Sequence, residues 1–369
     1  MKKKIIITGG LGYIGTELCR LYSGVSWHHK ILVIDSRFIS ERVNQIRNWN
    51  MEFIHGDILD KDLVNKYFSN ADVVHHLAGI TSVPRTKSES SKEIDEKIKL
   101  VAEEGTQNIL NTISNECKLI FPSTHVVYEG ISEVKKDIKE NENTLPVLSY
   151  SSSKAANEKQ IKDSQKNYVI LRLGSVYGYS NDTMRIDIMP NLFSKIASQN
   201  GTLKLFAGGR QIKSLVPLID VARCFKFMEE SDHIKSEIFN LTKDTLTVKE
   251  VANICKKHNP KTQLKETNDE IPNLGFSLSN NKILSDCDGN YTVRIFSINN
   301  ETWYLDNSPE RLLKLLDMSN LKRNFIDLFD YFVDKNIKDE DIGMVEFHFY
   351  MFNIKIDNIL RTDDEEYDI

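Results

Sequence analysis

Cysteine is scarce. Cys19, Cys117, Cys224, Cys255 and Cys287 are the only five in 369 residues, scattered and odd in number, which suits reduced packing thiols and offers no disulfide framework or zinc spacing. Positive charge is not in excess either: 48 Lys and Arg against 53 Asp and Glu give a formal net charge of −5, so no basic field advertises nucleic acid or an anionic membrane. Long apolar runs are missing. The stretch behind the basic Met1 to Lys4 stops at Thr8 after three isoleucines, which reads as neither an export signal nor a membrane span, and the expected address is cytoplasmic. No internal repeat or low-complexity linker interrupts the chain, and its 40% hydrophobic content is ample for one large core or two smaller ones.

What is present is alternation. Strand patterns at 4–8, 30–35, 52–55, 72–78, 118–124 and 168–174 are separated by helical patterns, notably 11–22, 60–68, 91–114 and 150–165. That order predicts an α/β fold, a doubly wound parallel sheet covered on both faces. Beyond 175 the pattern turns mixed, with helices near 187–199, 220–229 and 247–258 and strands near 203–206, 214–218 and 237–241, which predicts a smaller mixed α/β lobe. The expected division is a dinucleotide-binding domain over 1–175, rejoined by elements from 210–245, then a substrate lobe over 176–290 and a C-terminal extension over 291–369. In that extension, Tyr291 to Phe296 and Trp303-Tyr304 are followed by expected helices at 309–318 and 321–333. The acidic end, Asp363 to Asp368, is a candidate for disorder.

The most informative segment is Thr8-Gly9-Gly10-Leu11-Gly12-Tyr13-Ile14-Gly15, directly after the strand. A buried strand turning through close glycines into a helix leaves free backbone N–H groups and the positive helix end where a pyrophosphate can rest. Gly9 is read as permitting the tight turn, Gly12 as letting phosphate approach, and Gly15 as letting the helix press on the strand. The next strand ends in Asp35, about 20 residues past the loop, where an acid meets the adenosine ribose hydroxyls. This favours NAD over NADP, although the neighbouring Arg37 would relieve some of the repulsion on a 2′-phosphate.

A second pattern, Tyr150-Ser151-Ser152-Ser153-Lys154, places a phenol and an ammonium four residues apart on one helix face. Tyrosine, with an ordinary pKa of about 10, is a poor base at neutral pH, but a nearby lysine cation and an oxidised nicotinamide both favour phenolate. The order of parts gives the pattern weight: glycine loop, acid after the second strand, a hydroxyl ending the strand at 118–124, then Tyr and Lys opening a helix.

Together these segments resemble the extended short-chain dehydrogenase/reductase superfamily, in the branch of UDP-galactose 4-epimerase-like nucleotide-sugar enzymes, over roughly residues 4–285. The glycine segment is similar to its Rossmann cofactor fingerprint, Gly56-Asp57-Ile58 to its adenine contact, and His76-Leu77-Ala78-Gly79 to the motif holding the cofactor's middle. Ser123-Thr124 with Val127-Tyr128 resembles the catalytic hydroxyl segment, Leu171 to Gly178 the approach to the sugar-nucleotide site, and Val216 to Ala222 the late Asp-Val-Ala helix start. The resemblance implies NAD as cofactor, held by Gly9, Gly12, Tyr13, Ile14, Gly15, Asp35, Ser36, Arg37, Asp57, Ile58, Leu77, Ala78, Gly79, Tyr150 and Lys154. It implies Tyr150 as acid/base, Thr124 bonding the reacting sugar oxygen, and Lys154 holding the nicotinamide ribose while lowering the phenol pKa. It also implies a nucleotide-diphosphate sugar met by Arg85, Ser123, Thr124, Ser175, Arg185 and Lys213, and a homodimer paired through the helices at 91–114 and 150–165.

Departures from the family pattern narrow the reaction. The 4,6-dehydratases carry Asp-Glu after the catalytic threonine and the decarboxylases usually a Glu at the second place, where this chain has His125 and Val126. Dehydration and decarboxylation therefore rank below redox chemistry at a carbinol carbon. The expected activity is an NAD-dependent epimerase acting by transient oxidation at C4, the alternative a dehydrogenase or reductase with net turnover; the Thr124, Tyr150 and Lys154 set argues against a non-catalytic NAD-binding role. His125 is a candidate extra acid/base, although a histidine at a strand end is more often a turn or packing residue. Ala102 and Ser175 stand where the family often has asparagine, and Lys213 where it has arginine; Arg210 is a further candidate cation. The pairs His28-His29 and His75-His76 point no metal site, since neighbours in a strand face opposite ways.

Overall fold

The computed structural model describes residues 2–26, 28–81, 91–180, 183–268 and 275–286, together with the backbone of 292–298 and 301–306. In chain order the first compact unit, residues 1–280, opens with β1 (Lys4–Thr8), α1 (Tyr13–Ser23), β2 (Lys30–Asp35), α2 (Ser40–Asn48), β3 (Glu52–His55) and α3 (Lys61–Phe68). β4 (Val73–His76), α4 (Lys92–Thr112), β5 (Lys118–Thr124), β6 (Lys135–Ile138), α5 (Ser149–Asp163) and β7 (Asn167–Leu173) follow. The remainder is β8 (Ser175–Tyr177), α6 (Met189–Ser198), β9 (Thr202–Leu205), β10 (Ile212–Pro217), α7 (Leu218–Glu230), β11 (Glu237–Leu241), β12 (Asp244–Thr247), α8 (Val248–His258), β13 (Gln263–Glu266) and β14 (Phe276–Leu278).

Seven strands form the main sheet in the order β11-β7-β5-β4-β1-β2-β3, every neighbouring pair parallel. The chain winds outward from β1 to β3, then crosses back to β4 and proceeds the other way, so the order reverses between β1 and β4. Ligands of open α/β sheets settle at such a point, outside the carboxyl ends of the strands.

Both faces of β1 are covered. Ile6 packs with Val64 and Phe68 of α3, Ile109 and Leu110 of α4 and Ile161 of α5, each at most 3% exposed. Burying side chains of this size stabilises by about 2 kcal/mol each. Across the sheet α1 packs on α7. The alternation of side chains along β4 divides its two histidines: His75 meets Tyr22 of α1 and Phe225 of α7, while His76 meets Thr106 of α4. Pro122 sits within the central strand β5, yet it falls beyond the last residue paired with β4, so its missing N–H costs that ladder nothing.

The lobe is built on the sheet β12-β10-β8 and the parallel pair β9-β13, with α6 and α8 closing over Phe193, Leu203, Leu205, Leu215 and Val251. β11 leaves it to join the edge of the main sheet. β6 pairs with β14 and buries Ile138, Phe276 and Leu278 against Val127 and Tyr128.

The second unit, residues 281–369, contains α9 (Asn281–Asp286) and an antiparallel hairpin of β15 (Thr292–Ile298) and β16 (Glu301–Asp306). The helices expected at 309–318 and 321–333 and the acidic end lie outside the described residues. Among the described residues no helix is long and apolar enough to cross a membrane.

Candidate active site

A cavity of about 1000 Å³ opens at the carboxyl ends of β1, β2, β4, β5 and β7 and runs to the lobe. At its start Gly9 adopts φ +66°, and a Cβ there would come within 2.8 Å of the Ala78 nitrogen. Gly15 presses on the turn rather than on the strand: its added Cβ would stand 2.4 Å from the Gly9 oxygen. The contact with a strand belongs to Gly10, whose Cβ would meet Val33 of β2 at 2.1 Å. Gly12 caps α1 without any side-chain hydrogen bond and no acid lies in the first helical turn, so the helix offers its leading N–H groups and positive end to a ligand. These features fit a dinucleotide pyrophosphate.

The expected cofactor residues Gly9, Gly12, Tyr13, Ile14, Gly15, Asp35, Ser36, Arg37, Asp57, Ile58, Leu77, Ala78 and Gly79 all line the cavity. Several of their polar groups are already engaged. The Asp35 carboxylate accepts the N–H groups of Leu11 and Arg37, each at 3.0 Å, and pairs with the Arg37 guanidinium at 3.2 Å. The Tyr13 hydroxyl donates to the Gly178 carbonyl and accepts from Asn191, which ties the start of α1 to the lobe. Asp57 accepts the Leu59 N–H at 3.0 Å.

Thr124, Tyr150 and Lys154 converge on the same cavity. Thr124 ends β5 and caps the short 3-10 helix His125–Tyr128, accepting the Val126 N–H. Its side chain also hydrogen-bonds Tyr150. Burial pushes the Tyr150 phenol up to about 12; the Arg185 guanidinium opposes this first, and the bond with Thr124 second. Lys154 donates to the Pro122 carbonyl at 2.7 Å and stands 4.3 Å from the centroid of the Phe121 ring. Its ammonium is pushed down to about 7 by burial, against the favourable charge of Glu158.

The substrate-side expectations separate. Ser175, Arg185 and Lys213 line the cavity with Thr124. The Lys213 ammonium has neither an ion pair nor a hydrogen bond among the described residues, and burial lowers its pKa. Arg185 pairs with Asp187 at 2.5 Å and reaches Thr81. Ser123 lines the wall, but its hydroxyl donates to Glu158, which is locked to Arg172 at 2.7 Å. Arg210 is outside the cavity lining and bonds the Ala207 carbonyl, and Arg85 lies outside the described residues.

Sequence reasoning placed His76 in a cofactor-side motif but did not join it to the polar line beneath the site. Thr8 Oγ1 accepts the Ala78 N–H and hydrogen-bonds His76 Nδ1 at 3.1 Å, and His76 Nε2 hydrogen-bonds Thr106 Oγ1 at 3.0 Å, one ring nitrogen donating and the other accepting. Thr106 also accepts from Asn157 of α5, one turn beyond Lys154. Burial and, next, the Lys154 charge push His76 down to about 3. Arg42 of α2, donating to the Leu11 carbonyl at 2.6 Å, is a further cation on the wall. Asn191 was invisible for another reason: an asparagine inside a helix gives no signal, yet its side chain holds Tyr13, the Gly178 N–H and the Arg185 carbonyl.

Comparison with known proteins agrees with this geometry. Residues 5–242 match the model of the NAD dependent epimerase/dehydratase family. A dTDP-D-glucose 4,6-dehydratase of Dictyostelium discoideum is 27% identical over 66% of this chain, which spans only 58% of that relative's length. A UDP-glucose 4-epimerase of Mycoplasma genitalium is 27% identical over 69% of this chain and 81% of its own length. Among solved structures, a UDP-glucuronic acid 4-epimerase variant from Bacillus cereus, in complex with a fluorinated substrate analogue and NAD, superposes with a TM-score of 0.65. That likeness, at 23% identity over 76% of this chain and 92% of the other, is one of fold.

Proposed function

Since this chain belongs to the NAD-dependent epimerase/dehydratase family, we propose that it is a nucleotide-sugar epimerase that transiently oxidises the sugar at C4 and restores that carbon with the opposite configuration. The observation that carries this reading is the set of side chains around Thr124 and Tyr150. The two positions after Thr124, both on the cavity wall, are His125 and Val126. Thr124 and Tyr150 supply a relay at a carbinol, and His125 and Val126 add no pair of carboxylates to expel water.

NAD, when bound, supplies the oxidising equivalent that is taken up and given back within one turnover. Tyr150 as phenolate takes the proton of the sugar hydroxyl and later returns it. Thr124, already bonded to Tyr150, has its oxygen placed to share that proton and to hold the sugar oxygen as charge develops. The phenol's high resting pKa means that added positive charge is needed to make it a base, and Arg185 and the Lys154 ammonium lie on the same wall. Lys213, enclosed and unpaired among the described residues, suits the diphosphate of the substrate.

The test is to incubate the purified NAD-loaded protein with UDP-glucose and dTDP-glucose, resolve the products by NMR, and follow nicotinamide absorbance. The C4 epimer should form without net change in absorbance. Stoichiometric NADH, or a product lighter by one water, would overturn the reading.

A further inference from the structure

His125 lies directly after Thr124 on the cavity wall, and its two ring nitrogens are not equivalent. Nδ1 stands 3.0 Å from the Leu173 carbonyl oxygen, which can only accept, so Nδ1 carries the proton. Nε2 is therefore a bare lone pair. It faces Ser175 Oγ at 3.5 Å, the outer limit of a hydrogen bond, which leaves it receptive to a better donor. Ser175 is itself a wall residue, so this edge of the ring borders the space open to substrate. The Phe276 ring, 5.9 Å away, packs beside the imidazole and limits its rotation. Protonation would place a second cation near Lys213 in a desolvated corner, and both effects hold the ring neutral at about 4. A ring so weakly basic is a poor proton acceptor in chemistry but a sound hydrogen-bond acceptor.

We propose that His125 reads the sugar: its Nε2 accepts a hydrogen bond from one substrate hydroxyl near the reacting carbon, so the preferred substrate carries a neutral hydroxyl there in place of a carboxylate. This rests on the nucleotide-sugar reading above. A carboxylate has no proton to give and would set acceptor against acceptor, whereas a deoxy carbon would leave the lone pair desolvated and unpaired. The residue is thus a specificity determinant distinct from the relay of Thr124 and Tyr150.

The experiment compares the wild type, His125→Asn and His125→Gln, all NAD-loaded, on UDP-glucose, its 3-deoxy and 6-deoxy analogues, and UDP-glucuronic acid. Asn keeps a donor toward the Leu173 carbonyl and loses the acceptor; Gln reaches far enough to place a carbonyl oxygen near the Nε2 position. The wild type should favour UDP-glucose over one deoxy analogue, and over the uronate, by tenfold or more in kcat/KM. His125→Asn should lose ten- to hundredfold on UDP-glucose, mainly in KM, and change less than twofold on that deoxy analogue. His125→Gln should recover part of the loss. Equal losses on hydroxyl and deoxy substrates, or a wild type that prefers the uronate, would overturn the role given to His125. Absence of turnover by the wild type on these substrates and on their dTDP counterparts would overturn the nucleotide-sugar reading itself, and this inference with it.

Discussion

Lys154 donates to the Pro122 carbonyl at 2.7 Å, so the proline within β5 is also the acceptor that positions the lysine under the site. The arrangement is costly to the fold, because burial holds that ammonium at about 7, below its ordinary 10.5. The unfolded chain thus keeps the proton more tightly. This penalty is complete below pH 7, fades as pH rises toward 10.5, and disappears above it. Lys154→Met should therefore stabilise the NAD-free protein at pH 7 by up to about 2 kcal/mol once the lost hydrogen bond is counted, and so raise its Tm, while kcat falls at least a hundredfold. Thermal scans and rate assays on one preparation check both; a lower Tm would show that the ammonium stabilises the fold.

Two glycines on the cavity wall make opposite predictions. At Gly9, φ +66° and a backbone nitrogen 2.8 Å from the added Cβ leave no room, so Gly9→Ala should destabilise the fold by about 2 kcal/mol or more and abolish NAD binding. At Gly79 an added Cβ meets nothing within 4 Å among the described residues, so Gly79→Ala should fold with an unchanged Tm. Any loss of NAD affinity in Gly79→Ala then reports contact with the cofactor. Calorimetric NAD titration beside thermal scans separates the two cases.

The main sheet was legible because its strands are short buried runs between glycine and polar turns; β5 and β11 fall on the expected limits, and β4 is two residues shorter at its carboxyl end. α2 was not legible, since its nine residues bury only Val43 and Ile46, nor was β6, where Ile138 alone is buried. Each packs by a couple of residues, too few to set a period. The site followed the same logic. Residues in compact motifs, Gly9 to Gly15 and Tyr150 with Lys154, were readable, whereas Thr8, His76, Thr106 and Asn157 meet only through the crossing of β1, β4, α4 and α5.

Three histidines, two of them fully buried, tie stability to acid. Burial pushes His75 and His125 down to about 4 and His76 down to about 3, all below the ordinary 6.5. Each contributes stability that is complete above pH 6.5 and is lost as pH falls toward 3 or 4, because the unfolded chain takes up protons that the fold refuses. With three such groups, stability should fall by about 4 kcal/mol per pH unit near pH 5. His76→Gln should make that slope shallower by roughly a third, while lowering stability at pH 7 through the disturbed bonds to Thr8 and Thr106. Urea unfolding at pH 7, 6 and 5 measures the slope, and an unchanged slope would mean that His76 is protonated in the fold.

Arg185 offers the sharpest test of the relay. Its guanidinium is the foremost influence opposing the burial that holds Tyr150 at about 12, and it does so by favouring phenolate. Activity that depends on phenolate rises with pH until Tyr150 is deprotonated. Removing a cation beside the phenol raises its pKa, so in Arg185→Leu the rising limb of kcat/KM should move to higher pH, by about half a unit to one unit, as expected for a partly exposed charge. Thr124→Val should move it the same way, because the hydrogen bond from Thr124 also lowers the Tyr150 pKa. A pure binding role for Arg185 predicts instead a higher KM with the limb in place. Profiles of kcat/KM between pH 6 and 10 separate these, and in Tyr150→Phe the limb itself should vanish along with at least a thousandfold of the rate.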